Sequence, residues 1–283
     1  MVYSTNPIIV AEIGCVHDGS LDRAKCLADL AKKSGADILK TQKRNPKESV
    51  KKELWDQPHE NKLFARGDTY LEHRENLELN QQQHAELKSY CEKIGITYST
   101  SVWDMTSAKE IIELNPTMIK IPSACNYNFK LIQYIIDNYT GELHVSTGMI
   151  TRKEKQTLFD FLTNRAKGKV VVYHCTSGYP VPFEQIYLKE ISGLVENFEH
   201  VGFSNHGYGI AMEPAAYALG ATYFERHFTD DRAGNFTDAR NSLEPQGLAK
   251  LCRDLKALHK ALHYKPEKLE EIELVQRRKL RAD

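Results

Sequence analysis

The chain has 283 residues, with 38 basic and 38 acidic side chains and a formal net charge of zero. A chain this long buries most of its apolar surface without disulfide staples, and its balanced charge excludes the footprint of a nucleic-acid or anionic-membrane binder. No stretch approaches a membrane span, the start MVYSTNPIIVAEIG lacks a basic region, and the six cysteines (15, 26, 91, 125, 175, 252) follow no disulfide or zinc spacing. A reducing, cytoplasmic setting is therefore expected.

Short β-branched or aromatic runs recur along the chain. They are PIIVAEIG (7–14), ADILKTQ (36–42), ITYSTS (96–101), MIKIPS (118–123), ELHVSTG (142–148), KVVVYHCT (169–176), HVGFSNHG (200–207) and ATYFERHFT (221–229). Between them lie amphipathic helical patterns such as SLDRAKCLADLAKKSG, where Leu21, Ala24, Leu27 and Leu30 share a face and Ser20 is a suitable N-cap. Eight strand–helix alternations without a G-x-G-x-x-G after the first strand predict an α/β fold, a (β/α)8 TIM barrel over residues 1–264. A doubly wound sheet is the alternative. The charged stretch 265–283 reads as a solvated helical tail. Segment 43–80 is too long for an ordinary strand-to-helix turn and leaves the strand end where barrel sites sit, so a lid is expected.

The C-terminal strand ends carry polar residues: Glu12, Lys40, Gln42, Thr100, Lys120, Ser123, Ser146, Thr147, His174, Thr176, Ser204, His206, Glu225 and His227. A barrel interior is normally filled by branched apolar side chains, so charges there need partners or a ligand. Lys40 and Lys120 can bridge to Glu12 and Glu225. Such bridges stabilise poorly, and two lysines at one mouth favour an anionic ligand such as a phosphate or carboxylate. Ser146 and Thr147 can equally cap the next helix, His174 can equally sit in the core, and His17 and His144 read as structural. His206 and His227 end adjacent strands, about 4.8 Å apart, and both imidazoles can reach one divalent ion; spacing does not choose among Mn²⁺, Fe²⁺, Zn²⁺ and Mg²⁺.

These features resemble the barrel domain of the sialic acid synthases, the N-acetylneuraminate, legionaminate and pseudaminate synthases. The resemblance is carried by IIVAEIG-x-x-H-x-G (8–19), SGADILKTQ (34–42), KIPS (120–123), STGM (146–149), HCTSGYPVPFE (174–184), SNHGYG (204–209) and HFTDDRAGNFTDARNSLEP (227–245). It implies condensation of phosphoenolpyruvate with an aldose to a 2-keto-3-deoxy sugar acid, with release of phosphate. It further implies that His206 and His227 hold a metal, usually Mn²⁺, and that Glu12 lies near the reacting carbons. By the same resemblance Lys40, Thr100, Lys120, Ser123, Ser146, Ser177 and Ser204 hold phosphoenolpyruvate, and Gln42, Tyr179 and Asp238 contact the acceptor sugar.

Four positions depart from the family pattern. Cys125 stands in place of an acidic residue, Ser177 where asparagine is frequent, Val16 where asparagine precedes the histidine, and Asn205 where aspartate precedes His206. The altered acceptor contacts predict an intact reaction on a less usual aldose. The chain stops near where the family's linker leads into a small antifreeze-like domain. That domain is therefore expected to be missing here because it is encoded separately, because it has been cut away, or because the acceptor needs no such cover; the 43–80 segment is the expected substitute lid and a homodimer the other expected partnership. The competing expectations are a synthase for a shorter or phosphorylated aldose, of octulosonate or heptulosonate type, and a non-catalytic sugar-binding barrel.

Overall fold

A computed structural model describes residues 5–282. Eight parallel strands close into one barrel in chain order: β1 (Ile8–Gly14), β2 (Ile38–Lys43), β3 (Thr97–Val102), β4 (Met118–Ile121), β5 (Glu142–Ser146), β6 (Val170–Cys175), β7 (His200–Ser204) and β8 (Tyr223–His227). Each predicted strand is present, and the doubly wound alternative is excluded by closure of β1 onto β8, where Glu12 pairs with His227.

The helices are α1 (Leu21–Lys33), α2 (Pro46–Ser49), α3 (Tyr70–Leu77), α4 (Gln81–Ile94), α5 (Met105–Leu114), α6 (Phe129–Asn138), α7 (Arg152–Arg165), α8 (Glu190–Val195), α9 (Met212–Ala218), α10 (Pro245–Ala261) and α11 (Glu271–Leu280). Local chemistry starts them where the sequence indicates. Ser20 Oγ accepts from Arg23 N at the start of α1, and Thr69, Asn80 and Thr151 form reciprocal capping boxes with Glu72, Gln83 and Glu154.

Strand alternation divides the buried residues into two sets. Outward-facing Ile9, Ala11, Leu39, Ile119, Val145, Val172, Val201 and Phe224 join the helices in the main core. Inside the barrel, Val10, Ile38, Met118, Val171, Tyr173 and Tyr223 form a smaller apolar layer. Above that layer the interior turns polar, and this change of character positions the site.

Segment 43–80 carries α2 and α3 and reaches the loops after the first and last strands. Arg66 Nε lies 2.5 Å from Asp18 Oδ1 in the loop after β1, and Arg66 Nη2 donates to the Asn235 carbonyl, 2.6 Å away, in the loop after β8. At the other end of the chain, α11 buries no residue. No helix among the described residues is long and apolar enough to cross a membrane.

Candidate active site

The polar layer lines a cavity of about 250 Å³ at the C-terminal end of the barrel. Its floor holds four buried charges. Lys40 is ion-paired with Glu12 and lies 3.7 Å from Glu225 Oε1, and Lys120 Nζ reaches the same Glu225 oxygen at 2.6 Å. The bridges read from the sequence are thus present, but they do not close the site. Glu225 Oε2 is buried without a hydrogen-bond partner. Such an atom, in a cavity lined by lysines, leaves bonding capacity for a ligand or water.

The electrostatics follow from burial and pairing. Burial pushes Glu225 up, but the ammonium groups of Lys120 and Lys40 outweigh it and hold the carboxyl at about 2. Burial lowers Lys120 by more than Glu225 restores, and it raises Glu12 by more than Lys40 recovers.

Hydroxyls ring the two lysines. Ser123, Ser146, Ser177 and Ser204 line the cavity, and Ser204 Oγ donates to Glu225 Oε1 at 3.3 Å. Gly148 lets the serine loops converge, because a Cβ there would stand 2.6 Å from Ser123 Oγ and also overlap Ser177 Oγ.

Thr100 requires a correction. Its hydroxyl is bonded to Thr41 Oγ1 at 2.9 Å, outside the cavity, and Ser101 takes the place expected of it, accepting from Lys40 Nζ at 2.9 Å. The cause is parity: inward-facing Lys40 is in register with Ser99, so Ser99 and Ser101 face in and Thr100 faces out. The same parity turns three other strand-end residues away. Thr147 Oγ1 donates to the Tyr173 carbonyl and Thr176 Oγ1 to the Gln185 carbonyl, while His174 Nε2 bonds the Ile186 carbonyl. Cys175 lines the cavity instead, as do Trp103 and Met149. None of these three stood out in the sequence, although counting by twos from Lys120 and Ser204 reaches Cys175 through the β6–β7 register.

His206 and His227 stand together on the β7–β8 side, ring centroids 5.4 Å apart. Tyr179 lies against both, 4.6 Å and 6.0 Å from their centroids. His227 Nδ1 is buried and unbonded, as a nitrogen waiting for an ion would be. Among the described residues no cluster of three or more His, Cys, Asp or Glu side chains is placed to hold a metal. The two imidazoles would supply two ligands to a divalent ion, one fewer than the three protein ligands of a typical catalytic zinc site.

The acceptor candidates sit higher. Gln42 Nε2 donates to Glu12 Oε1 at 3.2 Å, and its Oε1 accepts from Arg44 Nη2 at 2.7 Å. A Cβ on Gly14 would meet Asp238 Oδ2, Gln42 Nε2 and Glu12 Oε1 at 3.2–3.3 Å, which places Asp238 beside the other two at one corner of the mouth. Of the four altered positions only Ser177 lines the cavity, and the other three face elsewhere. Asn205 Nδ2 donates to Glu213 Oε1, itself 2.6 Å from Arg226 Nη1, and Cys125 Sγ bonds the Trp103 carbonyl. Val16 is fully buried in the core. His17, with Nδ1 accepting from Gly19 N, and His144, near the barrel bottom, are bonded within the fold.

Fold and site define a (β/α)8 barrel enzyme whose polar pocket holds two buried lysines beside a two-histidine corner. The NeuB family profile matches residues 27–267, and the chain belongs to that family. It is 34% identical over 258 residues to the N,N'-diacetyllegionaminic acid synthase of Campylobacter jejuni, covering 90% of this chain and 77% of that one. It is 33% identical over 256 residues to the human N-acetylneuraminate-9-phosphate synthase, covering 90% and 70%. The solved N-acetylneuraminic acid synthetase of Leptospira borgpetersenii serovar Hardjo-bovis, in complex with citrate, superimposes with a TM-score of 0.80 at 26% identity, covering 98% of this chain and 93% of that one.

Proposed function

We propose that the protein condenses phosphoenolpyruvate with an aldose to form a 2-keto-3-deoxy sugar acid of nonulosonate type, releasing phosphate. The observation that carries this reading is the pair of buried lysines, Lys40 and Lys120, meeting hydroxyls and two histidines in one cavity. Membership of a family of synthases supports it.

Lys40, Lys120, Ser101, Ser123, Ser146, Ser177 and Ser204 bind the phosphate and carboxylate of phosphoenolpyruvate, their donors fixed before the charge arrives. Gln42, Tyr179 and Asp238 hold the aldose at the mouth, with its aldehyde toward His206 and His227. His206 and His227 would hold a divalent ion, Mn²⁺ by resemblance, which would supply Lewis acidity at the aldehyde oxygen. The C3 carbon of phosphoenolpyruvate attacks the aldehyde carbon, which leaves a cationic C2. Glu12 faces that centre, stabilises the positive charge and takes the proton of the water that adds there. The proton held by Glu12 passes to the alkoxide left by the aldehyde, and the tetrahedral carbon collapses with C2–O cleavage, its hydroxyl proton leaving with the phosphate that the lysines receive.

Residues 5–264 form the synthase unit in this reading and α11 is an appendage. The six free cysteines suit a cytoplasmic setting. A second copy of the chain or a separately encoded domain is the partner to seek.

The test is incubation with phosphoenolpyruvate, Mn²⁺ and a panel of aldoses: N-acetylmannosamine, diacetamido-trideoxyhexoses, and free and phosphorylated pentoses and hexoses. Phosphate and keto-sugar acid are expected in equal amounts, and only when an accepted aldose is present. Bound phosphoenolpyruvate without turnover on any of them would establish a non-catalytic barrel.

A further inference from the structure

Directly beneath the lysines lies a side chain that does not belong to a standard barrel core. Tyr173 is fully buried inside β6, in a layer normally filled by branched aliphatics. Its neighbour in register on β7 is Gly202, and a Cβ at that position would overlap the Tyr173 ring. The missing side chain is thus the seat of the ring.

The far end of the tyrosine is tied down as well. Its hydroxyl donates to His144 Nδ1 at 2.9 Å, and His144 Nε2 donates to Glu142 Oε2 at 3.2 Å. Lys169 Nζ secures that carboxylate from outside, 2.9 Å from Glu142 Oε1 and 2.7 Å from Tyr223 Oη. Every polar side-chain atom in the series Tyr173–His144–Glu142–Lys169 has a partner, so the ring has little freedom to tilt.

On the upper side, Lys120 Nζ stands 4.3 Å from the Tyr173 ring centroid while bonded to Glu225. A lysine stem is flexible and its head is a compact charge. A second carboxylate beneath it would fix the head but cancel the charge. A ring face attracts the cation without neutralising it, so the positive field remains for an anion arriving from above. Filling space accounts for Gly202 but not for the placement of Lys120 Nζ over the ring.

We infer that Tyr173 is a positioning residue: its ring, seated against Gly202, holds the Lys120 ammonium at the cavity floor to receive the anionic groups of the substrate. This rests on the reading that Lys120 binds phosphoenolpyruvate.

The test is calorimetric binding of phosphoenolpyruvate to the full chain, without an acceptor, in Tyr173→Phe, Tyr173→Leu and Gly202→Ala. Tyr173→Phe keeps the ring and loses only the hydroxyl bond, so its Kd is expected within about twofold of the parent. Tyr173→Leu also loses the hydroxyl bond but removes the ring, and its Kd is expected to rise about tenfold or more, consistent with loss of a desolvated cation–π contact. Gly202→Ala keeps the tyrosine but displaces it, and should weaken binding as well, which covers the case in which Tyr173→Leu does not fold. In a Lys120→Met background, Tyr173→Leu should add nothing further. The inference is overturned if the parent binds phosphoenolpyruvate and folded Tyr173→Leu binds it equally well, or if Tyr173→Phe is as impaired as Tyr173→Leu. A parent chain that binds none would overturn the functional reading first, and this inference with it.

Discussion

Lys120 and Glu225 meet at 2.6 Å across the barrel, from strands β4 and β8, which are not neighbours in the sheet. The pair is buried, and Lys40 approaches the same carboxylate oxygen. Removing the carboxylate leaves Lys120 without its ion-pair partner and Lys40 with Glu12 alone. Glu225→Gln is therefore expected to lose about 3 kcal/mol of stability, in the range for breaking a buried ion pair. Phosphoenolpyruvate should raise the melting temperature of this variant more than that of the parent, because the bound anion replaces the lost charge. Thermal melts with and without the ligand check this; equal shifts would count against a ligand at the lysines.

Ser101 and Thr100 are adjacent, and only one of them is expected to matter for turnover. Ser101→Ala removes a hydroxyl that accepts from Lys40 and should raise the KM for phosphoenolpyruvate about fivefold, the worth of one hydrogen bond near 1 kcal/mol. Thr100→Val loses the bond to Thr41 and should cost about 1 kcal/mol of stability, with KM within twofold. Steady-state kinetics beside denaturant melts separate the two.

His206→Ala and His227→Ala should each abolish metal-dependent turnover. Chelator treatment of the parent should do the same, reversed by Mn²⁺, and calorimetry should show weaker Mn²⁺ binding in either variant. A parent that turns over fully after exhaustive chelation would remove the ion from the reaction.

Arg66 pins the 43–80 segment to the loops after β1 and β8 through Asp18 and the Asn235 carbonyl. Arg66→Ala frees that attachment and is expected to raise the KM for the acceptor several-fold while leaving phosphoenolpyruvate affinity within twofold. If both substrates weaken in parallel, the segment acts on the whole site and not as a cover for the sugar.

The barrel bottom sets an acid limit on stability. Burial pushes Glu142 up, but the hydrogen bonds from His144 and Lys169 outweigh it and hold the carboxyl at about 2, against 4.5 for a free one. A lowered folded value means stability that is present above about pH 4.5 and is lost as pH falls toward 2. The side chain is 23% exposed, so solvent screening reduces the contribution to on the order of 2 kcal/mol. His144 acts in the same direction, because burial lowers it and the unfolded chain takes up its proton first, so the loss begins below about pH 6.5. Glu142→Gln should flatten the lower part of this limb in melts recorded between pH 7 and 3.

The eight strands were legible because each is a compact β-branched run closed by a turn, a signal local to the chain. The two lysines and two histidines were legible for the same reason, as strand ends are easy to find. What faced the cavity was harder. At 99–101 every residue is a hydroxyl, so the sequence carries no alternation, and only the register of β2 on β3 decides which ones face in. His174 and Cys175 pose the same problem on β6. Asn205 stood out beside His206, yet its amide serves the buried Glu213–Arg226 pair, a contact between β8 and α9 that no local pattern announces. The seat of Tyr173 on Gly202 is likewise a fact of cross-strand register.

The pairing of Glu12 with His227 joins the first strand to the last. The cavity draws its wall from residue 12 through residue 227, so a growing chain does not possess the complete site until the final strand docks. Turnover, which draws on Glu12 and His227 together, is therefore a gauge of ring closure, and it should appear in refolding only with the last kinetic phase, after most helical signal has returned.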